Sequence, residues 1–182
     1  MTITETKNLI IRKFKATDWK GLSEILTDES VVYYEPYDVF TVDQCKEEAI
    51  KFSESDNFFA VVLKAEDKVI GKLYFNKENS RGTYELGYTF NALYQGKGYA
   101  KESSAALMDY AFNHMGIHRI IAIADVTNTR SWKLLEKLGM RREGCFLQSS
   151  YSRFDENKNP VWCDFYLYAI LSNEWKQRIT ML

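Results

Sequence analysis

Length, composition and charge restrict the kinds of protein this chain can be. Its 182 residues carry 24 Lys plus Arg against 25 Asp plus Glu, and the formal net charge is −1. At about 150 residues per domain this length predicts one domain, and the charge balance argues against a protein held to nucleic acid by bulk positive charge. Hydrophobic residues make up 46% and aromatic residues 15% of the chain, which predicts a sizeable core rather than disorder.

The cysteines and histidines fit no metal or disulfide pattern. Cys45, Cys145 and Cys163 lie far apart without CxxC spacing, and His114 and His118 fit no HExxH pattern. We therefore expect neither a disulfide framework nor a metal site. The first residues show no signal peptide, and no apolar run approaches the roughly 18 residues of a membrane span. These features predict a cytoplasmic protein that does not bind a membrane.

The first part of the chain predicts one strand and two helices. Residues 9–14 have the pattern of a strand, and Thr17 opens a short helix with one apolar face. Thr41 and Gln44 have the spacing of a capping box, which predicts the start of a second helix. Between the two helices, residues 31–37 form an aromatic loop to which the pattern assigns no element.

The remainder of the chain alternates between strand and helix patterns. Glu66-Asp67 marks a hairpin turn, Gly139 ends a helix, and residues 173–179 form a final helical turn or two. The resulting order of elements is β, αα, βββ, α, β, α, ββ, which predicts a single α/β domain. After the first two helices, the predicted elements cover residues 58–63, 69–75, 83–90, 100–115, 120–124, 128–138, 146–154 and 161–171.

A glycine-containing turn lies between a predicted strand and a predicted helix. It contains Gln95, Gly96 and Gly98, and the free N–H groups at such a helix start can bind a pyrophosphate. A plain loop with two glycines explains this segment equally well. A Walker A loop is excluded because no Gly-Lys pair precedes Ser or Thr. A dinucleotide fingerprint is excluded because Lys101 stands where the third glycine is needed.

The spacing Gln95-x-x-Gly98-x-Ala100 resembles the acyl-CoA motif of the GCN5-related N-acetyltransferases (GNAT). The likeness extends over residues 9–175, with residues 1–8 and 176–182 as terminal extensions, and is most similar to the ribosomal-protein-alanine (RimJ/RimL-like) branch. Met140 departs from it, since an aromatic residue is typical there. Further matching segments follow the family's order: Glu85-Leu86-Gly87-Tyr88, Asn128-x-x-Ser131, Leu138-Gly139-Met140, Glu143-Gly144 and Asp164.

The resemblance implies a fold and a place for acetyl-CoA. It implies a mixed, mostly antiparallel sheet flanked by helices and splayed between the fourth and fifth predicted strands, with a bulge commonly setting the splay. The thioester would lie beside residues 88–90, whose backbone would polarise its carbonyl. Lys101 or Lys133 would reach the adenosine phosphate, unless they are plain solvated charges. The implied cofactor-binding residues are Tyr88, Thr89, Phe90, Gln95, Gly96, Lys97, Gly98, Tyr99, Ala100, Asn128 and Ser131.

Acetyl transfer to an amine needs a base and a proton donor. The family often places its base on the strand that carries Glu85, so Glu85 is the expected base, acting directly or through water; a structural role for this half-buried acid is the alternative. Weaker candidates are Glu35, Asp38 and Glu143. Many members carry a Tyr seven residues after the matching Asn, where this chain has Leu135.

Ser131 takes the place of that Tyr in the RimJ/RimL branch, where the matching hydroxyl is believed to meet the sulfur of the leaving thiol. The resemblance therefore implies that Ser131 protonates the thiolate. An ordinary serine in the first turn of a helix capped by Asn128 is the structural alternative.

The acceptor site is expected in the aromatic loop and the last hairpin. Tyr33, Tyr34 and Tyr37 are the candidate residues there, although an aromatic cluster is more often core. The resemblance implies direct attack in a ternary complex by an α-amine of a protein or peptide. A small-molecule acceptor (an amine, amino acid or antibiotic) and a non-catalytic CoA-binding module stay open, and so does a homodimer. No nucleic-acid partner is expected, because no basic-aromatic run is present.

Overall fold

The computed structural model describes residues 1–79 and 82–180, apart from the side chains of residues 152 and 178–180. These residues form eight strands, six α-helices and two short 3-10 helices. The strands are β1 (Thr2–Glu5), β2 (Leu9–Lys13), β3 (Phe58–Leu63), β4 (Lys68–Lys77), β5 (Thr83–Phe90), β6 (Arg119–Asp125), β7 (Arg141–Phe154) and β8 (Pro160–Leu171). The α-helices are α1 (Trp19–Leu26), α2 (Glu29–Val32), α3 (Val42–Glu54), α4 (Tyr99–His114), α5 (Thr129–Lys137) and α6 (Ser172–Thr180).

All eight strands belong to one sheet, in the order β1-β2-β3-β4-β5-β6-β8-β7. Neighbouring strands run antiparallel except β5 and β6, which are parallel. The predicted α/β domain with a mixed, mostly antiparallel sheet is thereby confirmed. Among the described residues, no helix has both the length and the apolar character needed to cross a membrane.

Helices cover both faces of the central sheet, and β3 shows why its sequence is apolar throughout. Val61 is buried in the core beneath α4, whereas Ala60 and Val62 are buried on the other face beneath α1 and α3. A strand covered on both sides has no polar alternation. The molecule therefore has two cores, one on each side of the sheet.

Short-range signals set several element boundaries as predicted. The Thr41 hydroxyl accepts from the backbone N–H of Gln44 at 3.2 Å, and the side-chain Oε1 of Gln44 accepts from the backbone N–H of Thr41 at 2.7 Å, which completes the capping box of α3. Asp67 has φ +45° in the turn between β3 and β4, and Gly139 has φ +86° after α5. Left-handed backbone favours these residue types at turns and helix ends.

Three features differ from the sequence-based expectation. Residues 2–5 form β1, which pairs with β2 at the edge of the sheet, although no element is predicted before Leu9. Part of the aromatic loop forms the short helix α2, whose cap Asp28 accepts from the Ser30 N–H at 2.9 Å. Strand β7 begins at Arg141 rather than at residue 146. Both missed strand segments belong to edge strands and contain no buried residue, so their sequences lack the apolar pattern of a strand.

The sheet opens between β5 and β6, as predicted. The two strands pair only from Thr83 to Glu85 against Arg119 to Ile121 and then separate. The prediction of a bulge in the strand that carries Glu85 is wrong. That strand, β5, and its partner β4 are both described in full, and they keep one continuous register from Gly71 opposite Phe90 to Lys77 opposite Tyr84. Divergence of β5 from β6 therefore makes the gap without an extra residue in β5.

Candidate active site

Two cavities, of about 690 and 760 Å³, meet at the gap between β5 and β6. Successive side chains of β5 point to opposite faces of the sheet, so Glu85 and Thr89 belong to the α1 and α3 face while Tyr88 and Phe90 belong to the α4 face. The smaller cavity, on the α1 and α3 face, is called the aromatic cavity below. The larger one, beside the start of α4, is called the helix cavity. Both are lined by Tyr34, Glu35, Tyr88, Thr89, Asn128 and Ser131.

The helix cavity is built on the glycine turn. Gly96 and Gly98 have φ +73° and +88°, and no heavy atom lies within 4 Å of a Cβ placed on either. Gly98 caps α4, where the first N–H groups have no partner within the helix. The Gln95 amide donates to the Phe90 carbonyl at 2.9 Å and accepts from Arg130 at 3.3 Å, which fixes the turn against β5 and α5.

This cavity has the chemistry of an anion site. A helix N-terminus attracts negative charge, and Lys101, Arg130, Lys133 and Lys137 add basic side chains to the lining. Sequence reasoning missed Arg130 and Lys137, although Arg130 stands inside the Asn128-x-x-Ser131 motif. The residues present therefore fit a pyrophosphate-bearing ligand.

Most of the predicted cofactor-binding residues line the helix cavity, and Lys97 does not. The Lys97 ammonium instead lies 5.2 Å from the centre of the Tyr94 ring. The ten that line the cavity are Tyr88, Thr89, Phe90, Gln95, Gly96, Gly98, Tyr99, Ala100, Asn128 and Ser131.

Ser131 is held by two neighbours at the meeting point of the cavities. Asn128 caps α5 and its side-chain oxygen accepts from the Ser131 N–H at 3.1 Å. The Tyr88 hydroxyl donates to the Ser131 carbonyl at 2.8 Å and lies 3.1 Å from the Ser131 hydroxyl. Burial raises the pKa of Tyr88. The hydroxyl of Tyr88, from β5, thus lies beside Ser131. Leu135, which stands where many family members carry a Tyr, provides no hydroxyl.

Glu85 lies on the wall of the aromatic cavity. Burial raises the pKa of its carboxyl group, and Glu78 raises it further. Within the described part of the chain, its carboxylate has no ion-pair or hydrogen-bond partner. A half-buried acid whose pKa is raised is a candidate for proton exchange with a substrate.

The aromatic loop contributes Tyr34 and Tyr37 to the aromatic cavity but not Tyr33. The Tyr33 ring lies outside both cavities, beneath the Arg153 guanidinium at 4.4 Å. The Tyr34 hydroxyl donates to the Thr127 carbonyl at 3.5 Å and so connects this loop to the start of α5. Burial raises the pKa of Tyr37.

Glu35 and Lys72 form a charged pair on the same cavity wall. The Thr89 hydroxyl donates to one Glu35 carboxylate oxygen at 2.6 Å, and the Lys72 ammonium lies 3.8 Å from the other. Lys72 also faces the rings of Tyr37, Phe52 and Phe58 at 5.2, 6.0 and 5.8 Å. Sequence reasoning missed Lys72. Its position as a charged residue in the middle of an apolar strand was a signal that could have indicated it.

The two remaining carboxylate candidates line neither cavity. Glu143 is ion-paired with Arg119 and with Arg141, and the hydrogen bonds from Arg119 lower its pKa, as do those from Arg141. Asp38 is exposed. In the described residues, no group of three or more His, Cys, Asp or Glu side chains is arranged to hold a metal ion.

A sheet opened beside a glycine turn at a helix N-terminus, with two cavities meeting in the gap, defines an acyl-CoA-dependent transferase fold. Residues 8–141 match the acetyltransferase (GNAT) domain family, and the chain belongs to that family. The uncharacterized N-acetyltransferase YnaD of Bacillus subtilis is 41% identical over 172 residues, which cover 93% of this chain and 97% of that protein. A GNAT-family acetyltransferase structure from Bacillus anthracis is 38% identical, with a TM-score of 0.84, covering 95% of this chain and 99% of that one.

A further relative and a further solved structure carry names that state different substrates. The [ribosomal protein uS5]-alanine N-acetyltransferase of Escherichia coli is 31% identical over 121 residues, covering 65% of this chain and 59% of that protein. Spermidine N-acetyltransferase from Vibrio cholerae, solved with CoA and spermine, is 20% identical with a TM-score of 0.78, covering 94% of this chain and 99% of that one. The second likeness concerns the fold alone. The GNAT assignment is confirmed, and the RimJ/RimL branch stays a prediction.

Proposed function

We propose that this acetyltransferase moves the acetyl group of acetyl-CoA directly to a primary amine, within a ternary complex, and that the amine is the α-amine of a protein or peptide. The observation that carries the proposal is the pair of cavities that share six wall residues. Two substrates that enter from opposite faces of the sheet meet at this point without a covalent enzyme intermediate.

The helix cavity is the proposed acetyl-CoA site. The N–H groups at the start of α4 and the side chain of Arg130 would bind the pyrophosphate, and Lys101 or Lys133 the adenosine phosphate. The open inner edge of β5 at residues 88–90 would hydrogen-bond along the pantetheine arm as a neighbouring strand does. When bound, acetyl-CoA supplies a thioester whose carbonyl carbon accepts the amine.

Glu85 would accept a proton from the amine, and Ser131 would donate one to the leaving thiolate. Glu85 and Thr89 are four positions apart on β5, about 13 Å at the usual rise of a strand, so Glu85 would take the amine proton through water. Ser131 would donate a proton to the departing sulfur, with Tyr88 hydrogen-bonded to the same hydroxyl. The base and the acid then stand on opposite sides of the meeting point.

The α-amine acceptor is supported by the uS5-alanine relative, and the acidic lining of the aromatic cavity favours a second candidate. Glu35, Glu48, Glu85 and Asp125 face this cavity together with Lys72, and such a surface attracts a cationic small-molecule amine. The N-acetyltransferase domain at residues 9–175, the cytoplasmic location and the homodimer stay predictions.

A panel of acceptors tests the proposed function. Acetyl-CoA should raise the melting temperature, because it binds the folded state alone, and thiol release should follow the addition of an amine. The panel should include alanyl peptides, amino acids, diamines and aminoglycosides. Stabilisation without thiol release on any acceptor would point to a non-catalytic CoA-binding module, and no stabilisation would refute the acetyl-CoA site.

A further inference from the structure

Lys72 is an unusual residue to find in the wall of a cavity between strands and helices. Its side chain is 8% exposed, and burial lowers the pKa of its ammonium group, against the influence of Glu35 and Glu48. A buried charge is costly unless it is paired. The nearest Glu35 oxygen lies at 3.8 Å, too far for a hydrogen bond. No other residue that the structure describes accepts a hydrogen bond from the Lys72 ammonium, which therefore has N–H donors to offer to another group.

The sheet register places Lys72 in the aromatic cavity beside two residues that line both cavities, Thr89 and Glu35. Lys72 of β4 is directly opposite Thr89 of β5, so the two side chains share one face of the sheet. Thr89 lines both cavities and holds one oxygen of Glu35. The Glu35 carboxylate and the Lys72 ammonium thus lie side by side in the cavity that the acceptor amine is proposed to enter.

We propose that Glu35 and Lys72 together bind the α-amino-acyl end of the acceptor, an inference that rests on the proposed function. Glu35 accepts a hydrogen bond from the attacking amine. Lys72 donates to the oxygen of the adjoining carbonyl or carboxylate. The acceptor class is therefore an amine whose Cα is bonded to a carbonyl or carboxylate carbon, as in a peptide N-terminus or an amino acid.

The dimensions of that group match the pair. The amine nitrogen and the carbonyl oxygen of one residue lie roughly 3 Å apart, from standard backbone bond lengths, and the Glu35 and Lys72 groups are 3.8 Å apart. The Tyr37, Phe52 and Phe58 rings lie around the ammonium, and the Lys72 side chain is 8% exposed. A hydrogen bond from Lys72 is therefore stronger than the same bond in water. A diamine or polyamine has no oxygen for Lys72.

The first arm of the experiment uses the wild-type enzyme and needs no variant. We compare kcat/KM, corrected to the concentration of neutral amine, for L-alaninamide, L-alanine, an alanyl tripeptide and isopropylamine. We expect isopropylamine, which lacks the oxygen, to be at least about tenfold poorer, the size of a hydrogen bond to a charged group. The ratio of tripeptide to free alanine then shows which source of the α-amino-acyl group is used. Equal values for alaninamide and isopropylamine would overturn the inference.

The second arm removes the donor. Lys72→Met keeps the length of the side chain, and we expect it to lower kcat/KM for alaninamide about ten- to hundredfold more than for isopropylamine, with acetyl-CoA affinity reporting on the cofactor site. Lys68→Met is the matched control, because Lys68 of the same strand pairs with Glu24 outside both cavities. An equal loss for both acceptors would reduce Lys72 to a structural residue and overturn the inference.

Two controls keep the outcomes separate. If Lys72→Met does not fold, Lys72→Gln takes its place. The comparison of acceptors on the wild-type enzyme tests the inference in either case, because it needs no substitution. Failure of the proposed function gives a different result from failure of this inference. In the first case no acceptor releases thiol, whereas in the second thiol is released without regard to the oxygen.

Discussion

Replacing Gly98 by Glu should weaken acetyl-CoA binding at least about a hundredfold and leave the fold intact. Gly98 caps α4 with φ +88°, and a Cβ there meets no heavy atom within 4 Å. The side chain would project from the mouth of the helix cavity, into the volume that the pyrophosphate is proposed to take. Its carboxylate would also place a second negative charge at the positive end of the helix.

The size of the effect follows from the contacts that would be lost. Loss of two charge-assisted hydrogen bonds costs about 3 kcal/mol, which corresponds to a dissociation constant raised about a hundredfold. Left-handed backbone with a Cβ costs a further 1–2 kcal/mol, roughly, in the free energy of unfolding. Titration calorimetry with acetyl-CoA measures the first quantity, and denaturant unfolding the second.

Gly116 supplies the matched control for this substitution. It follows the other end of α4 with φ +66° and also has open space around a Cβ. Gly116→Glu should therefore lose about the same stability, roughly 1–2 kcal/mol, while binding acetyl-CoA as the wild type does. Wild-type affinity in folded Gly98→Glu would refute the assignment of the helix cavity to acetyl-CoA.

Four further predictions concern the proton-transfer groups. Glu85→Gln should lower the rate of acetyl transfer at pH 7 with little change in acetyl-CoA affinity, and the deficit should shrink as pH rises and neutral amine becomes abundant; an unchanged rate would reassign Glu85 to structure. Because burial raises the pKa of Glu85 in the folded state, its ionised form favours unfolding as pH rises through that value, so Glu85→Gln should raise the melting temperature at pH 7 and not at pH 4. Ser131→Ala should slow transfer by about ten- to a hundredfold, and full activity with binding intact would leave water as the proton source. Tyr88→Phe should cause a loss that does not add to that of Ser131→Ala in a double-mutant cycle; additive losses would separate the two hydroxyls.

Residues whose structure is set by near neighbours in sequence were predictable. The capping box of Thr41 and Gln44 and the turn at Gly139 depend on a few adjacent residues, and both are present as predicted. The acyl-CoA motif belongs to the same class, because a glycine turn and the helix after it are continuous in the chain.

What depends on long-range packing was not predictable. Lys72 joins the site because β4 pairs with β5 and because a loop 37 residues earlier in the sequence brings Glu35 to it. Tyr33 and Tyr34 are adjacent, yet only Tyr34 enters the cavities, a choice made by the packing of the loop. The absence of a bulge in the described β5 is likewise a property of strand pairing that residue types do not reveal.

The three-residue pairing of β5 with β6 has a consequence for how the molecule opens. This short contact is the direct link between the backbones of the β1–β5 and β6–β8 halves of the sheet, while helix and loop packing joins them elsewhere. Local opening along the gap should therefore need less free energy than global unfolding. Amide protons on the inner edges of β5 and β6 should exchange with solvent faster than those of β3 or β4. A ligand bound along β5 would slow that exchange, so its binding would tie the two half-sheets into one cooperative unit.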